Sequence, residues 1–174
     1  MKTSKSLGML LGFIIAYCSG YAQNTIETDK KIIFYKNQIA LKPDSACYFL
    51  NKLGMYYYEI EDNKKALEFF FKCDSRTLND TFEMKSEYVK SLTYFGIELY
   101  DRALYHNLKS LHLAQSICNK NFEVNNLIQI AALYRNINDF SESARYFDKA
   151  LKTVDSKDNE TLFWIYYHRG YKYY

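Results

Sequence analysis

The sequence predicts an all-α protein made of stacked helix pairs, and three observations carry that expectation. Breakers are rare, with one Pro, Pro43, and six Gly in 174 residues. That is too few for the tight turns of a strand-rich sandwich or barrel. Apolar residues recur at helical spacing between short polar breaks, as in Leu50, Leu53, Tyr57 and Ile60. The segments also resemble one another at a fixed offset. Tyr57, Tyr94 and Tyr134 are separated by 37 and 40 residues, and the same offsets link Ala66, Ala103 and Ser143, then Cys73, Ser110 and Ala150. Self-similarity at such a period means stacked supersecondary units.

Composition sets the class. Hydrophobic residues make up 48% and charged residues 25%, ordinary for a soluble globular chain with room for one sizeable core. The aromatic content is not ordinary: 18 Tyr and 12 Phe stand beside one Trp. Tyr packs its ring and still satisfies its hydroxyl at a surface, which suits a fold with many half-buried rings. Net charge is +3, and setting aside Lys2 and Lys5 takes the bases from 23 to 21 against 20 acids, a net of +1. That balance gives no reason to expect nucleic acid as a partner.

The first 22 residues read as an export signal. Lys2 and Lys5 form a positive start, Leu7 to Tyr17 is an apolar run of 11 residues, and Gly20 and Ala22 precede a cut at Ala22/Gln23. The run is short for a bilayer span. Two other readings stay open: an uncleaved N-terminal membrane anchor, or lipidation at Cys18. Ile15-Ala16-Tyr17-Cys18 partly resembles a bacterial lipobox, with bulky Tyr17 where a small residue belongs. The ending at Ala22-Gln23-Asn24 resembles signal peptides of Bacteroidota, which implies the periplasm.

From residue 24 the helical patterns alternate with breaks at 42–44, 61–63, 78–81, 119–121, 138–139 and 155–158. Asp80 with Glu83, and Asp139 with Glu142, have capping-box spacing. Residues 26–41 form a helix ahead of the first unit, and residues 23–44 are expected to cover its open side.

These residues resemble the tetratricopeptide-repeat (TPR) family. Leu50, Leu53, Gly54, Tyr57, Ala66, Phe70 and Cys73 follow its pattern in order, as do Leu127, Ile130, Ala131, Tyr134, Ser143, Phe147 and Ala150. In the middle unit Tyr94, Ala103 and Ser110 fit, while Lys90, Ser91 and Asn107 depart; a one-residue shift would make Tyr88, Leu92 and Phe95 its packing face. The resemblance implies a right-handed α-solenoid of antiparallel helix pairs over 45–174. It would hold about three and a half repeats: units near 47–80, 84–120 and 124–157, with an incomplete one at 160–174. Small residues belong where backbones approach, and all three Gly beyond the signal, Gly54, Gly96 and Gly170, fall in first helices. The period exceeds the family's, so the extra residues are expected in second helices and in loops between units.

Catalytic chemistry finds little footing. His106 and His112 are six apart on one helix and point to different sides, with no carboxylate or thiol partner visible at ligand spacing. No nucleophile-elbow, phosphate-loop or zinc-protease motif occurs, and no cofactor or metal is expected. Cys47, Cys73 and Cys118 are odd in number and read as buried free thiols, with a Cys47–Cys73 pairing left open. Asn79-Asp80-Thr81 and Asn159-Glu160-Thr161 match the N-glycosylation acceptor pattern, which matters only in a eukaryotic secretory route.

The family's register places the partner-binding candidates on first helices: Tyr48, Asn51, Met55, Tyr58, Lys85, Tyr88, Asn125, Ile128, Arg135 and Asn136. They imply a concave groove for a protein or extended peptide, without the regular Lys/Asn set that clamps a terminal carboxylate. Residues 160–174 carry Phe163, Trp164, Tyr166, Tyr167, Tyr171 and Tyr173, more rings than preceding helices can bury. Self-association, or a further C-terminal segment, is expected to cover them. Two function classes follow: a stand-alone exported scaffold, or the sensory segment of a larger membrane-bound transcriptional regulator or histidine kinase.

Overall fold

The computed structural model describes residues 29–73 and 79–170, and every regular element among them is helical. Helix α1 spans 29–41. A short 3-10 turn, Pro43–Ser45, places Pro43 at a first position, where its missing N–H costs nothing. Then come α2 (Ala46–Glu59), α3 (Asn63–Phe71), α4 (Asp80–Gly96), α5 (Tyr100–Ser116), α6 (Lys120–Asn136), α7 (Phe140–Thr153) and α8 (Asn159–Gly170). The signal segment, residues 74–78 and residues 171–174 lie outside the described residues.

One turn is built four times, between α2 and α3, α4 and α5, α5 and α6, and α6 and α7. Each starts on an isoleucine at the helix C-cap: Ile60, Ile97, Ile117 and Ile137. The next residue, Glu61, Glu98, Cys118 or Asn138, takes a left-handed φ of 62, 61, 55 or 63°. The third is the N-cap of the following helix. In the first turn the Glu61 N–H donates to the Tyr58 carbonyl and the Asp62 N–H to the Tyr57 carbonyl, both at 2.9 Å. The other three turns repeat this pattern at 2.8–3.1 Å. The closure satisfies carbonyls that a helix end leaves without partners. It also folds each helix back on its predecessor with a three-residue link. Glycine usually holds the left-handed position, and none of the four turns uses it. The break at 97–99 has no polar capping residue, because its N-cap is Leu99.

Side chains finish the caps where they can. Asp139 accepts from the Glu142 N–H at 3.1 Å, as the spacing predicts. Asp80 does not cap α4. Asn79 does so, its Oδ1 taking the Phe82 N–H at 2.9 Å. Asn79 has the extended backbone that a cap requires, whereas Asp80 already lies in the first turn.

The helices pack in series. α2 lies on α3, α4 on α5 and α6 on α7, with α3–α4, α5–α6 and α7–α8 contacts joining the pairs. Small buried residues sit in the pairs: Gly54, Ala66, Ala103, Ala131 and Ala150. A Cβ on Gly54 would fall 2.8 Å from the Phe70 ring and 3.1 Å from the Ala66 carbonyl oxygen. Ile32, Tyr35 and Ile39 of α1 pack against the core of the first pair, formed by Leu53, Tyr57, Ala66 and Phe70. In the middle unit the shifted register is overturned. Lys90, Ser91 and Tyr94 are the buried residues, and Tyr88, Leu92 and Phe95 are only half-buried. The extra length of the period goes into first helices as well as second ones, since α4, α5 and α6 each have 17 residues.

The cysteine expectation is also corrected. Cys47 and Cys73 form a disulfide with Cα atoms 4.7 Å apart. α3 runs back along α2, which brings the residues after its end to the start of α2. Closing a loop with a separation of 26 residues contributes between about 3 and 4 kcal/mol by the chain-entropy account. Cys118 is free but exposed, at the left-handed position of its turn.

Gly54→Ala should lower stability by about 1–2 kcal/mol, because the clash with Phe70 outweighs the gain in helix propensity. Gly170→Ala, with nothing within 4 Å of its Cβ position, should hold or raise stability. Thermal melts followed by circular dichroism compare the two, and equal effects would disprove the close-contact account.

Candidate functional site

First helices lie side by side in a row. The rings of Tyr48 on α2 and Phe82 on α4 are 4.5 Å apart, and those of Tyr88 on α4 and Phe122 on α6 are 5.7 Å apart. Arg135 on α6 donates to the His168 carbonyl on α8 at 3.2 Å. Lys52 Nζ sits over both Tyr48 and Phe82, at 5.7 and 5.5 Å from the ring centroids. Phe82 and Phe122 were missing from the sequence candidates. Each lies three residues before a candidate, Lys85 or Asn125, and so on the same helical face.

The ten candidates divide three ways. Tyr48, Lys85, Asn125 and Asn136 are exposed. Met55, Tyr58, Tyr88, Ile128 and Arg135 are half-buried. Met55 and Tyr58 pack on the first core cluster and Ile128 on the last. Burial pushes the Tyr58 and Tyr88 phenols above their ordinary range, and the neighbouring Tyr58 adds to the effect on Tyr88. Asn51 is corrected outright. It is 0% exposed, takes a hydrogen bond from Ser86 of α4, and donates to the Cys47 carbonyl at 2.9 Å. It fastens α2 to α4 and offers nothing to a partner. Asn136 spends one N–H on the Ala132 carbonyl at 2.8 Å.

Asn125 also lines an open cleft of roughly 600 Å³ between the start of α6 and the α7–α8 link. Val124 and Val154 supply apolar surface there, and Asn121, Thr153, Asp155, Asp158 and Thr161 supply polar groups. Asp158 is partly committed, since its Oδ1 accepts the Thr161 N–H at 3.0 Å.

A buried charge cluster lies between α4 and α5. Glu87 is 2% exposed. Its carboxylate meets His106 Nδ1 at 2.6 Å, Lys90 Nζ at 2.9 Å and Lys109 Nζ at 3.4 Å. Lys109 also reaches Glu83 at 2.7 Å. The His106 ring stacks on Tyr94 at 5.2 Å. His106 therefore does have a carboxylate partner, supplied by the preceding helix and so invisible to spacing along its own. Burial works against the Glu87 charge, but the His106 hydrogen bond and the Lys90 charge outweigh it and hold the carboxyl at about 2. With the ring stacked on Tyr94 and the carboxylate held by His106, Lys90 and Lys109, this geometry locks α4 to α5.

Among the described residues, no group of three or more His, Cys, Asp or Glu is placed to hold a metal ion. None of their helices is long and apolar enough to cross a membrane.

No protein-family model and no curated protein matches the chain. Its fold is similar to that of BtubC (BKLC) from P. vanneervenii. The TM-score is 0.59 at 13% identity, over 82% of this chain and 64% of that one. At that identity the likeness is one of fold alone, and this chain spans under two thirds of BtubC.

Glu87 ionises well below the ordinary 4.5, so its stabilisation is complete above that pH and lost as pH falls toward about 2. The shift corresponds to on the order of 3 kcal/mol. Glu87→Gln should cost several kcal/mol at neutral pH, because it leaves Lys90 without its buried partner. It should also flatten stability between about pH 4.5 and 2. Urea unfolding of both proteins across that range checks it, and parallel pH profiles would refute the role given to Glu87.

Proposed function

We propose that the chain is an exported, non-catalytic scaffold of the TPR type that holds a protein or peptide along its row of first helices. The observation that carries the reading is that row, with its ring pairs Tyr48–Phe82 and Tyr88–Phe122 and the exposed Lys85 and Asn125. Exposed Tyr48 and half-buried Tyr88 and Phe122 give apolar surface, the amide can bond a peptide backbone, and the lysine can meet a carboxylate. The recurring turn and the small residues at the helix crossings support a right-handed solenoid of about three and a half repeats. In that architecture first helices line the concave face.

Export is supported by the disulfide. A Cys47–Cys73 bond persists in an oxidising compartment and is rare in the cytosol. The periplasm satisfies this, and with a signal ending at Ala22 the mature chain begins at Gln23.

Two measurements test the reading. Mature protein isolated from the periplasm should show one reactive thiol, Cys118, before reduction and three after it. Three before reduction would remove the support for export. Capture of partners from a periplasmic extract should fall at least about threefold, a loss of ~0.6 kcal/mol or more, with Lys85→Glu. The control Lys152→Glu, on exposed α7 surface, should leave capture unchanged. Equal capture by both variants would move the binding face away from the first helices.

A further inference from the structure

The row of first helices changes charge sign along the edge formed by their N-terminal ends. Lys52 Nζ of α2 lies over Tyr48 and Phe82, and exposed Lys85 shares the Phe82 face of α4. Neither lysine makes an ion pair among the described residues. The acids of these helices are spent elsewhere. Glu83 reaches Lys109 at 2.7 Å and Glu87 meets His106 at 2.6 Å, both on α5. Glu123 of α6 holds Lys120 at 3.1 Å and accepts an N–H from Gln115 of α5, also at 3.1 Å. Asp80 lies about 140° round α4 from Lys85, and Glu59 stands about two turns beyond Lys52. Lys42 and Asp44, beside Tyr48, offset each other.

The far end of the same edge is acidic. Asp155 and Asp158 of the α7–α8 link line the cleft at the start of α6, with Asn121, Asn125 and Thr161. Each carboxylate spends one oxygen on a backbone N–H, Asp155 on that of Lys157 at 2.9 Å and Asp158 on that of Thr161 at 3.0 Å. Neither is in an ion pair among the described residues. Lys120, the base in the described lining, is held by Glu123. Lys157 and Glu160 flank the cleft and offset each other. Arg169, at the other end of α8, is paired with Asp148 at 2.9 Å. Between the basic and acidic ends lie the amides of Asn121 and Asn125 and the rings of Tyr88 and Phe122.

We propose that the partner is an extended peptide segment of mixed charge, with an acidic residue at Lys52 and Lys85 and a basic residue at Asp155 and Asp158. This rests on the row of first helices being the binding face. Neighbouring packed helices lie about 10 Å apart, so α4 and the α7–α8 link are separated by about 20 Å, or roughly six residues of extended chain. Asn121 and Asn125 fall between the two ends, where their amides hydrogen-bond the segment's backbone. Opposite charges at the two ends fix the direction and register of the segment. They also discriminate against a segment that is uniformly acidic or uniformly basic.

Random peptides of about twelve residues, long enough for that span, are displayed on phage and selected on the full chain. Enriched peptides should carry Asp or Glu and Lys or Arg about six residues apart. Two charge-neutralising double variants are selected in parallel, Lys52→Gln with Lys85→Gln and Asp155→Asn with Asp158→Asn, each checked for native circular dichroism. Asn retains the side-chain oxygen that accepts the Thr161 N–H at the start of α8. The lysine variant should lose the preference for the acid and the aspartate variant the preference for the base. Each should bind a peptide selected on wild type about two- to fivefold more weakly. Enriched peptides without the spaced pair, or the same preferences in all three proteins, overturn the proposal. Asn125→Ala, in the middle of the row, separates that failure from failure of the binding face itself. If it weakens the enriched peptides, the row still holds them and only the mixed-charge partner is wrong. If it leaves them unchanged and the charge variants do too, or if no peptide is enriched, both the partner and the binding face are wrong.

Discussion

Helices that cross closely leave no space for side chains at the contact, and most of this structure depends on that. At Gly54 the gap to Phe70 is already closed without a Cβ. Ala66, Ala103, Ala131 and Ala150 keep the same condition elsewhere, each with 0% exposure. Close approach in turn demands short links, since a long loop would not hold two backbones together so tightly. The turn built on Ile60, Ile97, Ile117 and Ile137 meets that demand, with a left-handed residue and a carbonyl closure in place of glycine. Large rings such as Tyr57, Phe70, Tyr94 and Phe147 then fill the volume beside the small residues.

Much of this was legible in the sequence because it obeys a period. Gly54, Tyr57, Ala66 and Phe70 repeat as Ala131, Tyr134, Ser143 and Phe147, and helical spacing found them. The α4–α5 turn was harder to see, because Leu99 carries no capping atom and only the recurrence of isoleucine marks the place. The middle unit looked displaced because Lys90, Ser91 and Asn107 are polar, yet all three are buried. Lys90 pairs with Glu87 inside, and the Asn107 amide N–H donates to Ser91 at 3.1 Å.

The candidate surface was read less well, since a helical face gives direction but not neighbours. Asn51 lies on a first helix as the register requires, but the face it shares with Ser86 is interior. Phe82 and Phe122 were not among the candidates, yet they meet Tyr48 and Tyr88 across first helices, Phe82 as a buried residue. The Glu87–His106 pair joins residues 19 apart in different helices, a separation that no local pattern can pick out. Polar groups such as Asn51, Ser86 and Glu87 thus fasten this stack from within.

The Cys47–Cys73 bond has a mechanical consequence. It closes the first pair into a loop that cannot lengthen while the bond lasts. Helices α4 to α8 have no such clasp among the described residues; they are held by packing, hydrogen bonds and ion pairs. Under tension applied at the two ends, the stretch from 79 to 170 yields and the first pair stays whole. The chain therefore has an inextensible segment at 47–73, and a load on it is absorbed by the helices outside that loop.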